Sequence, residues 1–112
     1  MWQRVALIGF SGSGKSTTAR MLSRLTGWPA IDIDEDLERH FGATIPEVFA
    51  NQGETAFREA ERTLLAAACA KEQVIIATGG GASAQPGAWS NELLGNPATL
   101  TVALDSLSLI HI

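Results

Sequence analysis

The chain has 112 residues, enough for one domain with its own core. Apolar residues make up 46% and charged residues 18%, which excludes an intrinsically disordered composition. With 8 Lys and Arg against 12 Asp and Glu the net charge is −4, and no basic cluster offers a nucleic-acid surface.

The first element is the apolar stretch Val5-Ala6-Leu7-Ile8, read as a strand over residues 3–10. Gly9-Phe10-Ser11-Gly12-Ser13-Gly14-Lys15-Ser16-Thr17 follows it and fits G-x-x-x-x-G-K-[ST] at every specified position. A helix from Gly14 to about Leu25 comes next, with Thr17, Ala19, Met21, Leu22 and Leu25 at helical spacing. A strand, a glycine-rich turn and a helix form a cradle for phosphate: backbone N–H groups and the positive helix end face the anion. In such a loop Gly12, Ser13, Gly14, Lys15, Ser16 and Thr17 hold the nucleotide. Lys15 reaches the β- and γ-phosphates, and the Ser16 hydroxyl ligates Mg²⁺. ATP and Mg²⁺ are therefore the expected ligands.

Gly27 and Pro29 end the first helix. Residues 30–34, Ala-Ile-Asp-Ile-Asp, read as a short strand with carboxylates at its C-terminal end. Asp32 can orient water on Mg²⁺ and Asp34 can accept a proton from an acceptor hydroxyl; a capping acid in a solvated acidic run is the plainer alternative. A helix is expected over 35–41 and another from Ile45, with Thr44 as its N-cap and Ile45, Val48 and Phe49 on its apolar face. After Gly53 the longest helical pattern runs over 54–71, with Phe57, Ala60, Leu64, Ala67 and Ala68 as the stripe. On it, Arg58 can clamp a carboxylate with Glu61 one turn on to orient it, or the two form a surface ion pair. Cys69 is the single cysteine and is expected to fill space in this helix, so disulfides are excluded.

Residues 74–78 form an unbroken β-rich run, as for a strand buried on both faces of a parallel sheet. Gly79-Gly80-Gly81 follows directly, either a bed for a ligand ring on backbone N–H groups or a plain turn. A short helix over 89–94 and a last strand over 99–104 complete the pattern. Alternating strands and helices predict an α/β fold, a parallel sheet flanked by helices with ligands at the strand C-termini. No apolar run reaches the ~18 residues of a membrane span, and the chain enters its first strand without a signal-peptide pattern, so a cytoplasmic protein with no membrane partner is expected. Residues 107–112 read as the in-frame translation of a transposase adapter used in sequencing libraries, with a native apolar end as the alternative. A partial domain over 1–106 and a non-native tail over 107–112 are the expected organisation.

Taken together, the motifs resemble those of shikimate kinase, within the nucleoside-monophosphate-kinase-like group of P-loop folds. The resemblance is carried by Gly9 to Thr17, Asp32-Ile33-Asp34, Ile45-Pro46-Glu47-Val48-Phe49, the stretch from Gly53 to Glu61, and Thr78-Gly79-Gly80-Gly81-Ala82. It implies transfer of the ATP γ-phosphoryl group to the 3-hydroxyl of shikimate by a protein that is usually monomeric. Lys15 then steadies the transferring phosphate, Ser16 binds Mg²⁺, and Asp32 acts through the metal's water shell. Asp34 holds the hydroxyl and acts as base, Arg58 pairs with the substrate carboxylate, and Gly79, Gly80 and Gly81 line the ring. Phe49, Phe57 and Glu61 fall around the same pocket. The family's lid arginine, second carboxylate-binding arginine, final strand and adenine loop have no counterpart in this sequence, so a C-terminally truncated fold with little or no turnover is expected. Gluconate kinase is the nearest competing resemblance, and a nucleotide-binding module without transfer chemistry is the reading from another class.

Overall fold

A computed structural model describes residues 2–9, 14–105 and 108–111. Strand β1 (Arg4–Gly9) leads to helix α1 (Lys15–Thr26), strand β2 (Ala30–Asp32) and helix α2 (Ile33–Phe41). Helix α3 (Ile45–Cys69), strand β3 (Val74–Ala77), a single 3₁₀ turn (Ala82–Ala84) and strands β4 (Thr99–Asp105) and β5 (Ser108–His111) follow. The sheet order is β2-β3-β1-β4-β5, with the first four strands parallel and β5 antiparallel to β4.

Side chains alternate across this sheet, so its two faces feed two cores. Val74 and Ile76 of β3 join Ala6, Ile33, Leu37, Val48, Phe57 and Leu65 under α2 and α3. Ile75 and Ala77 point the other way and join Leu7, Ala19, Val102 and Leu104 under α1. Burial on both faces is why residues 74–77 are uninterrupted apolar chemistry. The expected stripe of α1 is only partly used: Ala19 is buried, whereas Met21 and Leu25 are exposed.

Three expectations are corrected. The second strand stops at Asp32 rather than residue 34, because the Asp32 carboxylate accepts the Glu35 N–H at 3.2 Å and caps a helix that begins at Ile33. Asp34 therefore stands in the first turn of α2, not at a strand end. The helix expected over 89–94 is a succession of turns: Leu93 and Gly95 both donate to the Ser90 carbonyl, and Leu94 reaches back to Ala88. The stripe of α3 is rotated, burying Phe57, Glu61, Leu65 and Ala68 while Ala67 is exposed.

Other expectations hold. Thr44 starts α3 with a complete capping box to Glu47. Gly53 breaks the helical path with φ 86° and ψ 165°, so the two helical patterns form one element with a kink. Cys69 is buried, and burial pushes its thiol pKa up. Of the tail, residues 108–111 form β5; residues 107 and 112 lie outside the described residues.

Candidate functional site: two pockets that share Asp34

The parallel strands end on one side of the sheet, and every site residue within the described set gathers there. Phe10, Ser11, Gly12 and Ser13 lie outside the described residues. Gly14 closes the loop in a left-handed conformation, φ 91°, as the N-cap of α1. One pocket is lined by Gly14, Lys15, Ser16, Thr17, Asp32, Asp34 and Thr78. Lys15 is 8% exposed and its Nζ donates to the Gly9 carbonyl at 2.7 Å, which turns the side chain back to the end of β1. Burial lowers its pKa, while Asp34 and Asp32 act against that shift. The Ser16 hydroxyl donates to Asp32 Oδ2 at 2.5 Å. Asp32 thus caps α2 with one oxygen, as the plainer alternative expected, and meets the Ser16 hydroxyl with the other.

The second pocket is lined by Asp34, Ile45, Phe49, Phe57, Arg58, Glu61, Gly80 and Gly81. Arg58 Nη1 donates to Glu61 Oε1 at 2.8 Å, with side-chain exposures of 24% and 4%, so this is no surface pair. The guanidinium lies 5.3 Å from the Phe57 ring centroid and 5.9 Å from that of Phe49, and the two rings stand 4.6 Å apart. Glu61 Oε2 is buried without a hydrogen-bond partner. Gly79 lets the turn pass close to both carboxylates: a Cβ there would stand 2.7 Å from Glu61 Oε2 and 2.8 Å from Asp34 Oδ1. At Gly81 a Cβ would come within 3.0 Å of Arg58.

Among the described residues Asp34 is the one aspartate that lines both pockets. Burial raises its carboxyl pKa, with Asp32 and Glu61 adding to the shift and Lys15 opposing it. A carboxylate made more basic in this way, between a phosphate cradle and an arginine-floored pocket, is suited to taking a hydroxyl proton. Ser16 and Asp32 offer the hard oxygen donors that Mg²⁺ prefers, leaving positions for water and phosphate. Among the described residues no cluster of three or more His, Cys, Asp or Glu side chains could hold a metal by itself.

The sequence reading missed two lining residues. Thr78 in the first pocket and Ile45 in the second had been given no place in a site. Both stand inside motifs that signalled the site, immediately before the glycine turn and at the start of α3.

A family model described as shikimate kinase matches residues 11–100. The chain belongs to the shikimate kinase family. It is 46% identical over 78 residues to the shikimate kinase of Moorella thermoacetica, which covers 70% of this chain and 45% of that one. Against the Aquifex aeolicus shikimate kinase it is 44% identical over 81 residues, 72% of this chain and 48% of the relative. It spans just under half the length of these curated relatives. Among solved structures, the shikimate kinase of Acinetobacter baumannii in complex with shikimate superposes with a TM-score of 0.83 at 34% identity, over 93% of this chain and 56% of that one. Shikimate kinase from Aquifex aeolicus gives 0.79 at 39% identity, over 91% and 63%. The shared architecture is the P-loop type of parallel sheet flanked by helices.

Proposed function

We propose that this protein carries the nucleotide and acceptor sites of an ATP-dependent shikimate kinase, transferring the γ-phosphoryl group to the 3-hydroxyl of shikimate. The observation that carries the reading is Asp34, the carboxylate that lines both the phosphate pocket and the arginine-floored pocket. The likeness to a solved shikimate kinase in complex with shikimate adds support.

In this reading Gly12, Ser13, Gly14 and Thr17 hold the triphosphate through the loop and the helix end. Lys15 lies against the transferring phosphate. Ser16 and Asp32 would hold Mg²⁺, which when bound neutralises charge building on the phosphate oxygens. Arg58, backed by Glu61 and steadied by the Phe49 and Phe57 rings, pairs with the shikimate carboxylate. Gly79, Gly80 and Gly81 let the ring approach the backbone. Asp34 accepts the proton of the 3-hydroxyl as that oxygen bonds to the γ-phosphorus and the bond to ADP breaks. Positioning and electrostatics supply most of the rate in such a reaction.

Lys15 is the one basic side chain among the described residues that line the phosphate pocket. An arginine on the transferring phosphate is worth ~10³–10⁵ in rate. Little or no turnover by the 112-residue chain, a partial domain over 1–106, a non-native tail over 107–112 and a cytoplasmic location belong to the same proposal. Among the described residues no helix is long and apolar enough to cross a membrane.

Calorimetric titration with shikimate of the wild type, Arg58→Ala and Asp34→Asn provides the test. Binding by the wild type with at least tenfold weaker affinity in Arg58→Ala supports the acceptor assignment. Equal affinity in all three proteins overturns it, and binding of gluconate in place of shikimate moves the assignment to a different sugar-acid kinase.

A further inference from the structure

Thr78 directs two donors at one carbonyl where the sheet opens. The residue is 2% exposed; its N–H reaches the Leu7 carbonyl at 3.1 Å and its hydroxyl reaches the same oxygen at 2.9 Å. Leu7 opposite Ala77 is the last pair in the register between β1 and β3. Beyond it β1 continues beside β4 alone, through Ile8 and Gly9, to the root of the phosphate loop. The Gly9 carbonyl there receives Lys15 Nζ. On the other side β3 turns into Gly79, which lies against Asp34 and Glu61, and Gly81, which lies against Arg58.

A carbonyl oxygen has two lone pairs, so Leu7 can accept both bonds. The backbone bond alone would satisfy it, and a valine would fill the same space. The second bond satisfies the buried Thr78 hydroxyl, a group that packing alone does not require at this position. Its effect is to fix the side chain and, through it, the angle at which the glycine turn leaves the sheet. Thr78 also borders the pocket of Lys15, Ser16, Asp32 and Asp34, with its hydroxyl turned to the Leu7 carbonyl.

We propose that Thr78 is a positioning residue that fastens the glycine turn to β1 at Leu7, just ahead of the phosphate loop, and so holds the two pockets in register about Asp34. The consequence for shikimate rests on the function proposed above; the consequence for the backbone does not. Without the hydroxyl, Gly79 to Gly81 gain freedom, and the ring pocket loosens while the nucleotide cradle on α1 stays formed.

The test uses the full chain with Thr78→Val and Thr78→Ser, followed by amide hydrogen exchange, thermal unfolding and calorimetric titration with shikimate and with ADP. Thr78→Val is expected to melt within about 5 °C of the wild type and to exchange about tenfold faster at Gly79 to Gly81. Shikimate affinity falls about tenfold, since small misplacements are costly at such sites, while ADP affinity changes less than about threefold. Thr78→Ser restores all of these. A merely structural role would lower both affinities in step with the melting temperature and would not be rescued by serine, which overturns the proposal. Unchanged exchange at the glycine turn in Thr78→Val also overturns it. If the wild type binds no shikimate, the acceptor assignment fails and the exchange measurement alone decides the role of Thr78. Thr78→Cys, similar in size with a weak donor, carries the same comparison where valine does not fold.

Discussion

Asp34 and Glu61 converge on Gly79 from two different helices: a Cβ at that position would lie 2.8 Å from the Asp34 carboxylate and 2.7 Å from that of Glu61. One residue without a side chain thus lets α2 and α3 bring two acids to the edge of one pocket. Gly79→Ala is expected to push both carboxylates aside. The ends of the two side chains can swing, so stability falls by about 1 kcal/mol, the low end of overpacking costs, while shikimate affinity falls more than tenfold. Urea unfolding and titration calorimetry check the pair of effects, and unchanged shikimate binding would contradict this geometry.

The pairing of Arg58 with Glu61 makes a stability prediction with a definite order. Glu61 is buried and one of its oxygens already lacks a partner, so Arg58→Ala leaves a buried carboxylate uncompensated. The expected loss is about 3 kcal/mol. Arg58→Ala/Glu61→Ala removes the stranded charge and is expected to be more stable than Arg58→Ala alone. A denaturant double-mutant cycle measures the coupling; a double variant weaker than Arg58→Ala would mean that packing, not charge, governs the site.

Asp34 links stability to pH. Its carboxyl pKa is raised in the folded state, first by burial and then by Asp32 and Glu61. The sign follows from linkage: the contribution is fully present below the ordinary aspartate value of 3.8 and is lost as pH rises through the higher folded value. Asp34→Asn cannot ionise and escapes that loss. In metal-free buffer the variant is expected to gain stability over the wild type as pH rises from about 4 to 7. Unfolding midpoints at several pH values read this directly, and a difference that stayed flat or reversed would count against the strained carboxylate.

The two sides of the fold differ in what they tolerate. Ile76 is fully buried in the core under α2 and α3, and Ile76→Ala is expected to cost about 3 kcal/mol for a site that collapses partly. Leu25, 78% exposed on α1, is expected to accept Leu25→Gln within about 0.5 kcal/mol. Chemical unfolding of both variants provides the check.

Much of this is legible in the sequence. Lys15 and Ser16 follow from a motif whose glycines have a local reason, and Thr44 with Glu47 is a local capping pattern that forms as read. The run over 74–77 announced a doubly buried strand because both of its faces are apolar. The places where the reading slipped share a cause. The strand expected over 30–34 ends at Asp32 because alternation is a short-range signal, and the Glu35 N–H that Asp32 accepts starts a helix instead. The turns over 89–94 have helical spacing but are held by back-reaching carbonyl bonds around Ser90.

The sequence by itself determined the strand, glycine-rich motif and helix in that order, the α/β alternation and the kind of residue on each strand, because those depend on neighbours along the chain. Tertiary structure alone decided that Asp34 belongs to both pockets, that Glu61 sits on the buried face of α3, and that Thr78 ties the strand ends together. These relations join residues tens of positions apart, and the distances that give them chemical meaning exist only after α2 and α3 pack on the same face of the sheet.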